Sequence, residues 1–167
     1  MEYSYIVFMD VDGVVADINH RLHFQREKDY DKFYSPEQLA KDTICLNGGV
    51  LATLLSSGEL DTQFVFVTGR PERTRDATED WLSEHFYGID LLGELPHFPL
   101  LMRKDGDYRP SNVIKVEAMQ KYLSDNNILD TNGVFIDDDL KNVIAVENAF
   151  PNISGILYST ERLGKGE

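Results

Sequence analysis

Asp10 and Asp12 stand one residue apart at the end of an apolar run, Ile6-Val7-Phe8-Met9, and Gly13 follows them. On an extended backbone residues i and i+2 project to the same side, so both carboxylates can address one point beyond the strand. Two acids in that position suit a specific chemistry: one carboxylate attacks a phosphoryl group and becomes an acyl phosphate, while the second protonates the leaving oxygen. A phosphate dianion approaching two carboxylates needs a divalent cation to offset the repulsion. The plainer reading of the same tetrapeptide is a strand end with solvated acids in a turn. Asp10-Val11-Asp12-Gly13 alone does not separate the two.

Further groups of the same kind recur along the chain. The apolar stretch Gln63 to Val67 runs into Thr68-Gly69-Arg70, which offers a hydroxyl to a phosphate oxygen, a glycine that lets the backbone approach, and a positive charge. Val134 to Ile136 ends in Asp137-Asp138-Asp139. Adjacent acids at a buried strand end repel one another unless a cation lies among them, which favours magnesium. Lys115 falls in the first turns of a helix for which Ser111 is the expected N-cap. Side chains there lean back towards the helix start, so its ammonium can reach the end of a sheet and meet phosphate. His20 and His23, three apart, have a spacing that can share a metal, although solvated histidines are the commoner case.

The elements that must carry these groups alternate. Short helices are expected over about His20 to Lys28 and Pro36 to Lys41, within a polar, aromatic-dotted segment 18–42 that reads as a small cap or lid. A helix from Gly48 to Ser57, closed by Gly58, shows Val50, Leu51, Leu54 and Leu55 as its apolar face. Another starts at Pro71 and continues through Trp81, Leu82 and Phe86 to Gly88, with Trp81 in the core. A short strand Leu100 to Met102 precedes Arg103-Lys104-Asp105-Gly106-Asp107-Tyr108-Arg109. The next helix turns Val116, Met119 and Leu123 inward. A helix Leu140 to Asn148, a last strand Ile153 to Tyr158 and a weakly ordered tail from Ser159 complete the series. Runs of four or so apolar residues read as strands buried on both faces, and their alternation with helices predicts an α/β fold with a central parallel sheet between two helix layers. In such a sheet every strand's carboxyl end lies on one edge, and ligands bind there.

The 167 residues suit a single domain, 1–167. A hydrophobic content of 42% and a charged content of 27% are those of a folded protein. No apolar run approaches the ~20 residues that span a bilayer. Met1 to Asp10 has neither a basic start nor a cleavage site, so no signal peptide is expected, and Cys45, the single cysteine, points to a reducing cytoplasm. The formal charge is −13, from 16 basic and 29 acidic residues, which repels nucleic acid at long range and makes any contact with it local. Arg70, Arg73, Arg75, Arg103, Lys104, Arg109 and Lys115 lie on the loops and helix starts expected around the site, as a basic rim on an acidic protein.

Together, Asp10-Val11-Asp12-Gly13-Val14, Thr68-Gly69-Arg70, Lys115 and Asp137-Asp138 resemble the motifs of the haloacid dehalogenase superfamily of aspartyl-phosphate hydrolases. The resemblance implies a Rossmann-like three-layer sandwich with a small or minimal cap. It makes Asp10 the nucleophile and Asp12 the general acid/base, with Thr68 and Lys115 holding the phosphate. Mg2+ would be bound by Asp10, the main-chain carbonyl of Asp12, and Asp138, with Asp137 in support. The second acid, Asp12, implies phosphate release rather than dehalogenation. A closer resemblance, through Arg103-Lys104-Asp105-Gly106-Asp107-Tyr108-Arg109 and its spacing to Lys115, is to the 3′-phosphatase domain of polynucleotide kinase/phosphatases. In that reading Gly69, Arg70, Arg103 and Arg109 bind substrate, a nucleotide or a nucleic-acid 3′ end. No kinase accompanies it, because no GxxxxGK[ST] loop is present. No obligate protein partner is indicated.

Three other readings share these residues. A nucleotidase for free nucleoside monophosphates fits the acidic surface. A phosphoacceptor signalling domain also uses clustered acids, a Thr and a Lys, but has no use for the general acid Asp12. A noncatalytic binding relative would not be expected to keep every group.

Overall fold

The computed structural model describes residues 5–56, 62–87 and 98–159. Strand β1, Tyr5–Met9, lies at the centre of a five-stranded sheet because its side chains are apolar on both faces. Alternate residues diverge: Val7 and Met9 enter one hydrophobic cluster, while Ile6 and Phe8 enter another across the sheet. A short hairpin-like excursion follows β1. Gly13 N–H donates to Ala16 O at 2.9 Å, and β2 (Ala16–Asp17) pairs antiparallel with β3 (Thr43–Ile44).

Segment 18–42, bracketed by β2 and β3, holds a single turn of 3-10 helix, Asn19–Arg21, and three short helices: α1 (Leu22–Arg26), α2 (Tyr30–Phe33) and α3 (Pro36–Leu39). Asp29 and Ser35 cap α2 and α3 by accepting backbone N–H groups, as these residue types do. Helix α2 has no counterpart in the sequence expectation. Four residues are too few to show a period.

The chain then forms α4 (Leu46–Ser56), β4 (Thr62–Pro71), a 3-10 turn (Glu72–Thr74), α5 (Arg75–Leu82) and a π-helical turn (Ser83–Tyr87). After these come β5 (Leu100–Arg103), α6 (Ser111–Asp125), β6 (Asn132–Asp137), α7 (Leu140–Ala149) and β7 (Ile153–Leu157). The strand order is β5-β4-β1-β6-β7, all parallel. Ala52 of α4 with Trp81 and Leu82 of α5 covers one face; Met119 and Leu123 of α6 with Val143 and Val146 of α7 covers the other. This is the α/β architecture, parallel sheet between helices, that alternation predicts. No helix among the described residues is long and apolar enough to cross a membrane.

Several local expectations are corrected. On α4, Ala52, Leu51 and Leu55 face the sheet, whereas Val50 and Leu54 are 52% and 63% exposed. Four apolar residues in six leave the helix face undetermined by sequence, and contact with β4 selects one. Ser111 is the first residue of α6 rather than its cap; Pro110 takes the cap position and no side chain bonds the first turn. The expected Gly58 and Gly88 helix ends and the tail from residue 160 lie outside the described residues, as does the side chain of Phe86.

Candidate functional site

Three neighbouring strands deliver the site. Because β1 is central and flanked by β4 and β6, Asp10 emerges between Thr68 on one side and Asp137 on the other. Asp10 N–H donates to Ile136 O at 2.9 Å, which ties the end of β1 to the end of β6. Gly13 adopts φ +80°, and a Cβ there would lie 2.0 Å from Asp138 Oδ2. Only glycine lets the turn after β1 pass this close to the second strand end.

Asp10, Asp137 and Asp138 each offer a carboxylate oxygen within 4.8 Å of the others. Lys115, buried, reaches back from α6 and contacts Asp10 Oδ2 at 2.8 Å and Asp137 Oδ2 at 2.6 Å. Burial alone would lower the lysine, but the two carboxylates outweigh it and hold the ammonium charged. Burial pushes Asp10 well above the usual carboxylate range, opposed by Lys115 and reinforced by Asp137. Asp138 is pushed up to about 6, by burial and then by the charge of Asp137. Asp137 also accepts both bonds that the Asn142 amide of α7 donates, at 3.1 and 3.0 Å. A single lysine faces three acids, so the group carries an excess of negative charge. Its donors are all hard oxygens, the set that suits magnesium, so the residues fit that ion.

Asp12 is treated differently. Its Oδ1 accepts from Arg21 Nη2 at 2.8 Å and from Arg70 Nε at 2.9 Å and Nη2 at 2.5 Å. Both arginines are fully buried, and both also donate to Asp42, itself buried: Arg21 Nε and Nη2 at 2.8 Å each, Arg70 Nη2 at 2.7 Å. Arg21 further donates to Phe33 O, and the Asp42 carbonyl accepts the Trp81 indole N–H at 2.9 Å. Two cations and two anions thus form a closed set. Burial would raise Asp12, yet Arg70 and then Arg21 hold it below its usual value. Asp12 lies on the wall of the cavity all the same.

The remaining expected residues have distinct surroundings. Thr68 is buried, and its hydroxyl accepts the Arg70 N–H at 3.2 Å. The Gly69 carbonyl accepts from Arg103 Nε at 2.9 Å and from Tyr34 Oη at 3.4 Å. Arg70 does not meet the cavity; its guanidinium is committed to Asp12, Asp42 and Thr78. Arg103 Nη1 donates to the Asp107 and Arg109 carbonyls at 2.9 and 2.8 Å and so brackets the loop that follows β5. Arg109 forks between Asp107 and Glu117. Arg75, expected on the basic rim, pairs instead with Glu72 and Glu79. His20 Nε2 donates to Gln38 O at 3.0 Å, and neither it nor His23 joins a metal-holding group among the described residues.

Arg21 and Asp42 were the residues the motifs did not single out. Neither has a local signal: they are 21 residues apart, and only closure of segment 18–42 over β4 brings them together.

Asp10, Asp12, Lys115 and Asp138 lie in the wall of one cavity of about 530 Å³ together with Gly69, Arg103 and Arg109, and segment 18–42 contributes Ile18, Leu22, Phe33 and Tyr34; Thr68, Arg70 and Asp137 stand behind that wall. A site of this kind can receive a phosphate group at its charged end and leaves most of its volume for the rest of the ligand.

The family model of the polynucleotide kinase PNKP phosphatase domain matches residues 4–146. In fold, the chain is similar to a chain from the structure of a Pnkp1/Rnl/Hen1 complex, at TM-score 0.62 and 19% identity, covering 94% of this chain and 46% of that one; it spans about half of that relative's length. It is similar to a haloacid dehalogenase-like hydrolase from Streptococcus pneumoniae, at TM-score 0.62 and 12% identity over 91% and 83% of the two chains. A haloacid dehalogenase family enzyme from Bacteroides thetaiotaomicron, solved as a complex with magnesium and inorganic phosphate, matches at TM-score 0.56 and 14% identity over 95% and 96%. No curated protein matches in sequence.

Proposed function

We propose that this chain, which belongs to the family of polynucleotide kinase PNKP phosphatase domains, is a magnesium-dependent phosphomonoesterase that removes 3′-phosphate from nucleic-acid ends or nucleotides through an aspartyl phosphate. The observation that carries the reading is the position of Asp10, beside Lys115 and two further acids at the charged end of the cavity, with Asp12 held apart by two arginines.

In this mechanism a carboxylate oxygen of Asp10 attacks phosphorus, an acyl phosphate bond forms and the bond to the leaving oxygen breaks. Asp12 gives its proton to that oxygen. It then takes one from the water that attacks the acyl phosphate, releasing inorganic phosphate and restoring Asp10. The arginines favour ionised Asp12, which suits the second step; an arriving phosphate dianion, a like charge, raises its proton affinity for the first. Lys115 holds Asp10 and Asp137 in place and presents positive charge to the phosphate, and the Thr68 hydroxyl and Gly69 backbone take its remaining oxygens. Arg70 and Arg21 serve by orienting Asp12, and Arg103 and Arg109 by fixing the loop 103–109. Asp10, Asp138 and the Asp12 main-chain carbonyl would hold Mg2+, supported by Asp137; when bound, the ion neutralises the phosphate oxygens and the acids. Residues 18–42 act as a small cap on a single domain, 1–167, because they wall the cavity on one side.

The test is phosphate release, with magnesium and with chelator, from a 3′-phosphorylated oligonucleotide, its 5′-phosphorylated counterpart, and 3′- and 5′-mononucleotides. Preference for the 3′-phosphorylated strand is expected. Preference for mononucleotides, which the charge of −13 favours, would keep the mechanism and change the substrate. A stable phosphoprotein without turnover would move the chain to signalling.

Metal binding has its own signature. Asp138, raised from the usual 3.8 to about 6, stabilises the fold below about pH 4 and loses that contribution as pH rises through 6. The metal-free cluster is therefore less favourable at neutral pH than at about pH 5, because Asp138 is then ionised and without a cation. We expect the magnesium-induced rise in Tm to be several degrees larger at about pH 7.5 than at about pH 5. Equal shifts at both pH values, read by thermal melting, would remove the cluster as the metal site.

A further inference from the structure

Tyr108 is 88% exposed, the highest value among the exposed large hydrophobic side chains described, and it lines the same cavity as Asp10 and Lys115. An aromatic ring left in water is usually carried on a mobile loop, but here the backbone around it is held. Arg103 bonds the carbonyls of Asp107 and Arg109, the residues on either side, and Arg109 is forked onto Asp107 and Glu117. Gly106, at φ +76°, makes the turn that lifts the ring. The result is a rigid bracket presenting an aromatic face that nothing covers among the described residues.

Two neighbours give that face a chemical context. Lys104, exposed on the cavity wall, makes no ion pair among the described residues. Tyr30, a second half-exposed ring, lines the cavity from the segment 18–42. Arg73 joins the two walls: its N–H donates to Asp105 Oδ1 at 3.0 Å and its guanidinium reaches Asp31 at 3.3 Å. In the phosphatase reading, phosphate lies at the charged end of the cavity, beside Asp10 and Lys115. About 530 Å³ exceeds what phosphate fills, and exposed rings with an unpaired cation suit a planar π-face carrying a further negative charge.

We propose that Tyr108 is a stacking platform for the base of the terminal nucleotide, with Lys104 beside it receiving the next backbone phosphate, so that the site selects a strand end over a bare phosphate ester. The inference rests on the phosphatase reading above and adds its specificity-determining residues. Base–aromatic stacking tolerates every base, so the selection is for a nucleotide and not for a sequence.

The experiment compares kcat/KM for phosphate release from a 3′-phosphorylated oligonucleotide whose terminal nucleotide bears a base with one whose terminal nucleotide is abasic. In the wild-type protein the base-bearing end is preferred. Tyr108→Ala is expected to reduce the preference about tenfold, Tyr108→Phe to keep it because the ring is retained, and Lys104→Ala to flatten the dependence of strand hydrolysis on salt. No wild-type preference, or a preference unchanged in Tyr108→Ala, overturns the platform. Quenching of a terminal 2-aminopurine bearing a 3′-phosphate is measured in parallel on the Asp10→Asn protein with magnesium. If no substrate at all is hydrolysed, the phosphatase reading fails, and quenching still decides the platform: quenching lost with Tyr108→Ala added supports it, and quenching unaltered or absent overturns it.

Discussion

Replacement of Asp10 by asparagine is expected to lower phosphate release by at least about a thousandfold while leaving the protein folded. The amide has the shape of the carboxyl but no charge with which to attack phosphorus. Lys115 loses one partner, at 2.8 Å, and keeps Asp137 at 2.6 Å. The lost contact is offset because burial and the charge of Asp137 oppose an ionised carboxylate at this position. The Tm of the metal-free variant should therefore stay within about 4 °C of the parent, on the scale at which 1 kcal/mol moves a domain of this size by a few degrees. The magnesium-induced Tm shift should shrink, since the variant removes one carboxylate of the three-acid group. Activity above a tenth of the parent's would rule Asp10 out as the nucleophile. A collapsed Tm would instead make it a structural residue.

The second large effect is expected far from phosphorus. Asp42→Ala removes the buried carboxylate shared by Arg21 and Arg70, both fully buried. Breaking a buried ion set by deleting one member leaves charge uncompensated, which costs about 3–5 kcal/mol. For a domain of this length that corresponds to a fall in Tm of roughly 10 °C. The contrast is Asp31→Ala, whose carboxylate is 99% exposed and pairs with Arg73 at 3.3 Å; that change should cost under about 0.5 kcal/mol. Activity should fall in Asp42→Ala as well, since both arginines that hold Asp12 lose their second anchor, but by less than in Asp10→Asn. Chemical denaturation of the three proteins decides the matter. A loss below about 1 kcal/mol for Asp42→Ala would mean that Asp12 alone keeps the arginines satisfied.

These two residues differ in how they reach the reader of a sequence. Asp10 announces itself, because an acid directly after Ile6-Val7-Phe8-Met9 sits where a buried strand must end. The same holds for Asp137 and Asp138 after Val134 to Ile136, and for Thr68 after Gln63 to Val67. Asp42 has nothing comparable: it follows a four-residue helix and precedes a two-residue strand, and no periodicity marks it as buried. Arg21 and Asp42 meet because β2 and β3 pair and close segment 18–42 over the end of β4.

The amino-acid sequence by itself determined the parallel sheet between two helix layers, the strand ends that carry the acids, the threonine and the helix that carries Lys115. All of these follow from periods of two and 3.6 residues and from polar groups placed where apolar runs stop, which are properties of neighbouring residues. Only the tertiary structure decided how the charges pair. It committed Arg70 to Asp12 and Asp42 rather than to the cavity, made Arg103 and Arg109 a bracket for their own loop, and turned Leu51 and Leu55 rather than Val50 and Leu54 to the sheet. A charged side chain takes the partner that folding brings within about 3 Å while excluding water, and that partner lies as far along the chain as Asp10 does from Lys115.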